Sequence, residues 1–415
     1  MRRLRILPPS SLRRVSGCGR HPWATTTAMN DDADSVANCE RLNDVVLRNW
    51  AASFDGCHVQ FDAVEIAPHR VAGRGVFARR DIDAGEQLFC IPPTMTLSLD
   101  DLSETFLGGL HHDDDTQSSV VTGDGFRDEF LHIVRAEIAA VRSSEHFGVC
   151  HNKWFDCTAA AAAVASGSPI AAVSEDLRGA VIREAITRTC LTEECVRSWA
   201  VACVLAHHVS DLQRASPLAP YLFHILPSRR SSSQTASRCS ADATVRYSSA
   251  VRSACASAVL QRLVADHRLR KSISPSLTAA TLAWAYSCVA SRAHTFQVAP
   301  REAAEQRACV RRYPNDISWQ APADQAAWSP ILTPLFDSLN HGLVSMVDFA
   351  DVPSTQSDHR KKKCRSIVLQ ASRDIRQGEE ITMTYATKSS GGAPCLAASH
   401  AIEKLAFYLR FGFRL

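Results

Sequence analysis

Two stretches carry residue types and spacings that can do chemistry. The first, Pro330 to His341, reads P-I-L-T-P-L-F-D-S-L-N-H, and the second, Ile375 to Tyr385, reads I-R-Q-G-E-E-I-T-M-T-Y. Asp337, Asn340 and His341 form a D-x-x-N-H array that closes a strongly apolar run, so a carboxylate, an amide and an imidazole stand where the chain leaves a core. Buried groups of that kind need hydrogen-bond partners, and a bound polar ligand is one class of partner. In the second stretch Gln377 to Glu380 predicts a turn and Ile381 to Tyr385 a strand. Alternation puts Ile381, Met383 and Tyr385 on one buried face, which ends in a phenol.

Those groups need strands to hold them, and a third piece offers a set. Gly73-Arg74-Gly75-Val76-Phe77-Ala78 leads to Asp81-Ile82-x-x-Gly85-Glu86-x-Leu88-Phe89-x-Ile91-Pro92. Gly75 to Pro92 alternates in the strand manner, as does Val59 to Val64, and Gly73 and Gly75 permit a tight backbone path. Alone, the short glycine motif predicts an ordinary hairpin turn. Together with D-x-x-N-H and the strand ending in Tyr385, in this order along the chain, it resembles the SET-domain methyltransferases. In that family an N-H pair and a strand ending in tyrosine cross as a knot around S-adenosylmethionine. The resemblance implies an α+β fold, a SET-domain β-fold of small sheets with a pseudoknot, split by a mainly α-helical insert. It implies also that the glycine segment lies against the cofactor.

The insert is legible as a change of period. Leu99 to Leu110, Phe126 to Val141, Asp176 to Thr189 and Thr192 to His208 are helical in spacing. Thr192 is a candidate N-cap before Glu193 and Glu194, although Cys195 stands where a capping box needs Glu or Gln. Ser216 to Pro227 is similar to the S-x-W-x-P-Y-x-x-x-L-P segment of one SET subgroup, with Leu218 at the tryptophan and one extra residue before Leu226. That subgroup contains the Rubisco large-subunit lysine methyltransferases and the actin-histidine methyltransferases. A helix pair follows, and Leu282 to Ala293 is similar to the subgroup's W-A-x-x-x-x-x-S-R-A-F, with His294 at the phenylalanine. The resulting plan is a basic extension over residues 1–34, an N-terminal helix and the first half of the SET domain over 35–98, the insert over 99–280, and the second half over 281–415.

By this resemblance Tyr385 is the catalytic tyrosine. Gly73, Arg74, Gly75, Arg292, Asp337, Asn340, His341 and Phe411 would bind S-adenosylmethionine. The bland alternatives are a buried strand tyrosine and an ion-paired or surface arginine. Phe411-Gly412-Phe413 stands where the family has Y-G-F, so one hydroxyl is missing. No counterpart of the helical substrate-binding domain that follows SET in this subgroup precedes Leu415. The implied activity is methyl transfer to a protein lysine; histidine as acceptor, and a SET-derived binding module without turnover, both stay open. Methyl transfer from a sulfonium to nitrogen asks the protein for alignment, exclusion of water and a neutral amine.

Composition narrows the partners. At 415 residues, 46% hydrophobic and 21% charged, the chain is globular in type and long enough for a large core. A formal charge of +3 is too mild to argue for nucleic acid. The 15 cysteines include no C-x-x-C pair, which speaks against a zinc module or a disulfide framework and for a reducing compartment. No apolar run approaches the roughly 20 residues that span a bilayer. The first thirty residues hold Arg2, Arg3, Arg5, Arg13, Arg14 and Arg20 and no acid before Asp31. That pattern predicts a mitochondrial transit peptide, against a basic tail or a start at Met29 that would leave the cytoplasm or nucleus. His111 to Asp115 and His359 to Arg365 read as solvated loops, not metal or nucleic-acid sites. The expectation is a monomer with a lysine-bearing protein substrate and no metal.

Overall fold

The structure is a computed structural model and describes residues 45–69, 73–107, 123–144, 175–226, 243–266, 269–270, 273, 275–297, 328–342, 344–353, 365–384 and 397–411. The chain divides into two units, residues 1–46 and 47–415, and of the first only Val45 and Val46 are described. The arginine-rich N-terminus, the loop at His111 to Asp115, the basic run around Lys361, and Tyr385 lie outside the described residues.

Sheet-forming segments come from both ends of the second unit. The N-terminal side supplies β1 (His58–Val59), β2 (Val64–His69), β3 (Gly73–Ala78) and β4 (Gln87–Ile91). A ribbon of β5 (His294–Gln297) and β6 (Trp328–Ile331) precedes β7 (Asn340–His341), β8 (Val347–Pro353), β9 (Arg365–Ala371) and β10 (Glu380–Met383). Two four-stranded sheets result, ordered β1-β4-β9-β8 and β2-β3-β10-β7. Each joins the ends of the chain, through β4 with β9 and β3 with β10. A register shift between Gln87 and Phe89 is a bulge, which lets the adjacent Leu88 and Phe89 both be buried. The single strand expected over Val59 to Val64 is not formed. Phe61 N bonds Val59 O at 2.9 Å and Ala63 N bonds Gln60 O at 2.9 Å, so the backbone groups close on themselves in a turn.

The two sheets are locked by a pair of matching turns. Arg80-Asp81-Ile82-Asp83-Ala84-Gly85-Glu86 and Arg373-Asp374-Ile375-Arg376-Gln377-Gly378-Glu379 share R-D-I-x-x-G-E. Gly85 and Gly378 have φ of 85° and 79°, a region open to glycine at little cost. Ile82 and Ile375 exchange both backbone bonds at 2.9 Å. Asp374 accepts from Ala84 N at 2.9 Å, and reciprocally Asp81 accepts from Gln377 N at 2.8 Å. Within each turn an arginine pairs with the glutamate, Arg80 with Glu86 and Arg373 with Glu379. These ion pairs are solvent-exposed and add little, whereas the cross-turn bonds to backbone N–H groups align the sheets. Asp81→Ala and Asp374→Ala are each expected to lower the unfolding free energy by about 1 kcal/mol, and by similar amounts, in urea titrations.

Between β4 and β5 the chain is helical. After α1 (residues 45–52) come α2 (Asp101–Leu107), α3 (Gly123–Ser143), α4 (Glu175–Cys190), α5 (Glu193–His207), α6 (Ala219–His224), α7 (Ala243–Ala265) and α8 (Ala279–Arg292), and α9 (Ala397–Phe411) closes the described chain. Helix α5 is apolar nearly all round and buried from Trp199 to Ala206, as a central helix must be. Thr192 is its N-cap in position, with an extended backbone, but its hydroxyl meets Cys195 Sγ at 3.1 Å instead of a backbone N–H. The cysteine that stands in place of a capping-box acid thus takes the threonine's bond. Trp199 stacks on Tyr286 of α8 at 3.9 Å between ring centres. Thr278, by contrast, caps α8 properly, accepting from Thr281 N at 3.1 Å. Trp50 of α1 stacks on Tyr221 of α6 and donates to Pro217 O at 2.7 Å.

Candidate functional site

Strand β10 lies between β3 and β7. It runs antiparallel to β3, with Ile381 opposite Val76, and parallel to β7, with Thr382 opposite Asn340 and Met383 opposite His341. Ile381 and Met383 are buried, as the alternation predicts. The half-buried Asn340 ties the three strands: its Nδ2 donates to Arg74 O at 2.8 Å and to Glu380 Oε1 at 2.6 Å. Gly75 sits inside β3, not in a turn. A Cβ there would come within 2.7 Å of Glu380 Oε1 and 3.1 Å of Asn340 Nδ2, so a side chain at this position would displace the Glu380 carboxylate. Gly73 pairs with His69 at the end of the same strand.

Three residues before Asn340, a one-turn 3-10 helix over Phe336–Ser338 presents Asp337. Its entry is strained, since Leu335 has φ of 74°, a conformation that costs a side-chain-bearing residue about 1–3 kcal/mol. The Asp337 side chain is 0% exposed, and its Oδ2 accepts from the buried Tyr221 hydroxyl at 2.7 Å and from Arg292 Nη1 at 3.2 Å. Arg292 Nη1 also donates to Asp337 O at 3.1 Å, and its side chain keeps 28% exposure. Burial pushes the Asp337 carboxyl up, against the pull of Arg292 and the Tyr221 hydroxyl. Burial, then the nearby carboxylate, drives the Tyr221 phenol well above its usual range, so it stays a donor. Asp337 Oδ1, Ser338 Oγ and Thr333 Oγ1 are buried without hydrogen-bond partners among the described residues.

On the other flank α9 reaches the corner. Phe407 meets the His341 ring edge-on at 5.4 Å and Phe411 at 4.6 Å, so Phe411 stands one ring back from His341. Arg410 Nε donates to Ala290 O, tying α9 to α8 beside Arg292. Burial holds the His341 imidazole below its usual pKa, in the neutral form.

The structure therefore brings Arg74, Gly75, Asn340 and His341 together, and joins Asp337 to Arg292. A family model described as SET domain matches residues 73–386. The chain belongs to the SET domain family. The parallel pairing of β7 with β10 beside β3, with helices inserted between the halves, is its SET fold. No curated protein matches the sequence. Solved structures similar to this chain include the SET domain of LSMT bound to lysine and AdoHcy, at 13% identity and a TM-score of 0.47 over 90% of this chain and 58% of that one. Rubisco LSMT bound to AdoMet is another, at 12% identity and a TM-score of 0.43 over 90% of this chain and 56% of that one. This SET chain thus spans less than two thirds of each.

Three residues at the SET corner escape a reading by motif. Glu380 reads as part of a turn, yet its carboxylate holds Asn340. Tyr221 falls at the tyrosine of the P-Y segment, and a tyrosine inside an apolar run needs a partner for its hydroxyl. Phe407 lies one helical turn before Phe411, a spacing that could have flagged it.

Proposed function

We propose that the protein is an S-adenosylmethionine-dependent protein methyltransferase whose acceptor is a lysine side chain. The observation that carries this reading is the Asn340 amide, which gathers β3, β7 and β10 into one polar corner. The corner suits the cosubstrate on three counts. Asn340 Oδ1 has no partner among the described residues and can accept from an ammonium group. The partly exposed Arg292 guanidinium can meet a carboxylate in a two-pronged bond. The His341 ring, backed by Phe407, offers an aromatic edge to a purine.

When bound, S-adenosylmethionine supplies an electrophilic methyl group on a sulfonium. The protein's part is to align the acceptor nitrogen, exclude water and leave the amine neutral. Leu335, Phe336 and Leu339 are fully buried next to Asp337 and Asn340 in the chain, so the corner adjoins the apolar core. An amine taken out of water there sheds its proton more readily, because desolvation disfavours the charged form. Tyr385 follows the end of β10 by two residues, and its hydroxyl is assigned to accept from the incoming amine. Gly73, Arg74 and Gly75 contribute backbone, and Phe411 closes the pocket behind Phe407.

Labelled methyl transfer into mitochondrial and cytosolic extracts tests this, with mass spectrometry of the product to assign lysine or histidine. Tyr385→Phe is expected to slow transfer about a hundredfold while S-adenosylhomocysteine binding stays within about twofold. Unchanged transfer would remove Tyr385 from the chemistry. A wild-type chain that fails to bind S-adenosylhomocysteine in calorimetry would remove the methyltransferase reading itself.

A further inference from the structure

The two acceptors around Asn340 have a chemical property in common. A main-chain carbonyl has no proton to give, and a carboxylate only accepts. Arg74 O at 2.8 Å and Glu380 Oε1 at 2.6 Å therefore both demand the NH2 end of the amide. Turning the amide over would set its oxygen against two oxygens. Of the two, Arg74 O is fixed by its strand, whereas Glu380 reaches the amide only because Gly75 has no side chain where the carboxylate lies. The free end of the amide is its oxygen, which makes no hydrogen bond among the described residues.

We propose that Glu380 is a positioning residue that locks the Asn340 amide with Oδ1 toward the ligand, so that the corner selects a ligand ammonium and rejects an acceptor at that point. Held by Arg74 O alone, the amide would lose one hydrogen bond on flipping instead of two, and would discriminate less between a donor and an acceptor. Glu380 opposes the flip from a distance, without touching the ligand. The proposal rests on the methyltransferase reading and adds to it the residue that sets the direction of one hydrogen bond.

Two probes separate the effect from a general loosening of the corner. S-adenosylhomocysteine carries the ammonium, and 5′-methylthioadenosine shares the nucleoside but lacks the amino-acid end. In titration calorimetry on the full chain, Glu380→Ala is expected to weaken S-adenosylhomocysteine about tenfold and to leave 5′-methylthioadenosine within about twofold. Glu380→Gln keeps an oxygen that can accept from Asn340 Nδ2, and the ratio of the two affinities should stay within about threefold of the wild type. Equal weakening of both ligands by Glu380→Ala would make the residue merely structural and overturn the proposal. If Glu380→Ala does not fold, Glu380→Gln decides. A tenfold fall in its ratio would mean that the negative charge, and not the orientation of the amide, favours the ammonium, and the proposal would fall. Failure of the wild type to bind S-adenosylhomocysteine would instead remove the methyltransferase reading, and the proposal with it.

Discussion

Asp337→Ala is expected to cost about 3 kcal/mol of unfolding free energy, because it strands two groups at once. The Tyr221 hydroxyl, on a fully buried side chain, loses its acceptor at 2.7 Å, and Arg292 loses its ion-pair partner at 3.2 Å. An unsatisfied buried hydroxyl costs about 1–3 kcal/mol, and a cation with only 28% of its side chain exposed adds to that. Asp337→Asn keeps an acceptor for Tyr221 and removes only the charge, so about half the loss is expected. The combined change Tyr221→Phe, Asp337→Leu and Arg292→Met leaves nothing polar behind and should recover most of the stability, since a buried ion pair repays little beyond its own desolvation. Urea titrations followed by tryptophan fluorescence give all three numbers. A triple variant as unstable as Asp337→Ala would show that shape, and not stranded polar groups, sets the cost.

The balance between Asp337 and its partners also marks how far the fold could be read in advance. D-x-x-N-H was legible as a polar array leaving a core, and so was the strand Ile381 to Met383, because period-two burial is written directly into residue types. Helix α5 was legible as a helix, though not as the buried centre of the insert, since its apolar surround offers no solvent face to orient it. The role of Tyr221 was not legible: its partner lies 116 residues away, and nothing local fixes such a pairing. Glu380 was hidden for a different reason. A glutamate after Gly-Glu in a turn looks solvated, and only the β3–β10 register turns it toward Asn340. Gly75 was singled out for close approach to a cofactor, but the atoms nearest a side chain there include those of Glu380 and Asn340. The twin R-D-I-x-x-G-E turns were open to inspection throughout, and their reciprocal bonds explain why the same seven-residue pattern occurs at both ends of a split domain.

Acid should weaken the fold well before ordinary carboxylates protonate. Burial brings His208 down to about 4, with the neighbouring His207 adding to the shift, and brings His294 down to about 4, with Arg410 adding to it. His208 Nδ1 bonds Ser216 Oγ at 2.9 Å, and the His294 ring packs against Phe349 at 5.3 Å. Each folded pKa lies below the unfolded value of 6.5, so between pH 6.5 and 4 the unfolded chain binds protons that the folded chain does not. Stability therefore falls as pH falls through that window, by up to about 1.4 kcal/mol per pH unit for each histidine. Carboxyls pushed up by burial, Asp337 among them, work in the opposite sense. Asp101, pushed up to about 6 by burial at the start of α2, is protonated in the folded state over part of the same range and stabilises it as pH drops. His208→Gln and His294→Phe should each flatten the pH dependence of urea midpoints by about one proton, and Asp101→Asn should steepen it by about the same amount. Identical slopes in all four proteins would mean that the three groups titrate alike in the folded and unfolded chains. A common sign for the three variants would contradict the opposite directions that burial imposes on a cationic acid and a neutral one.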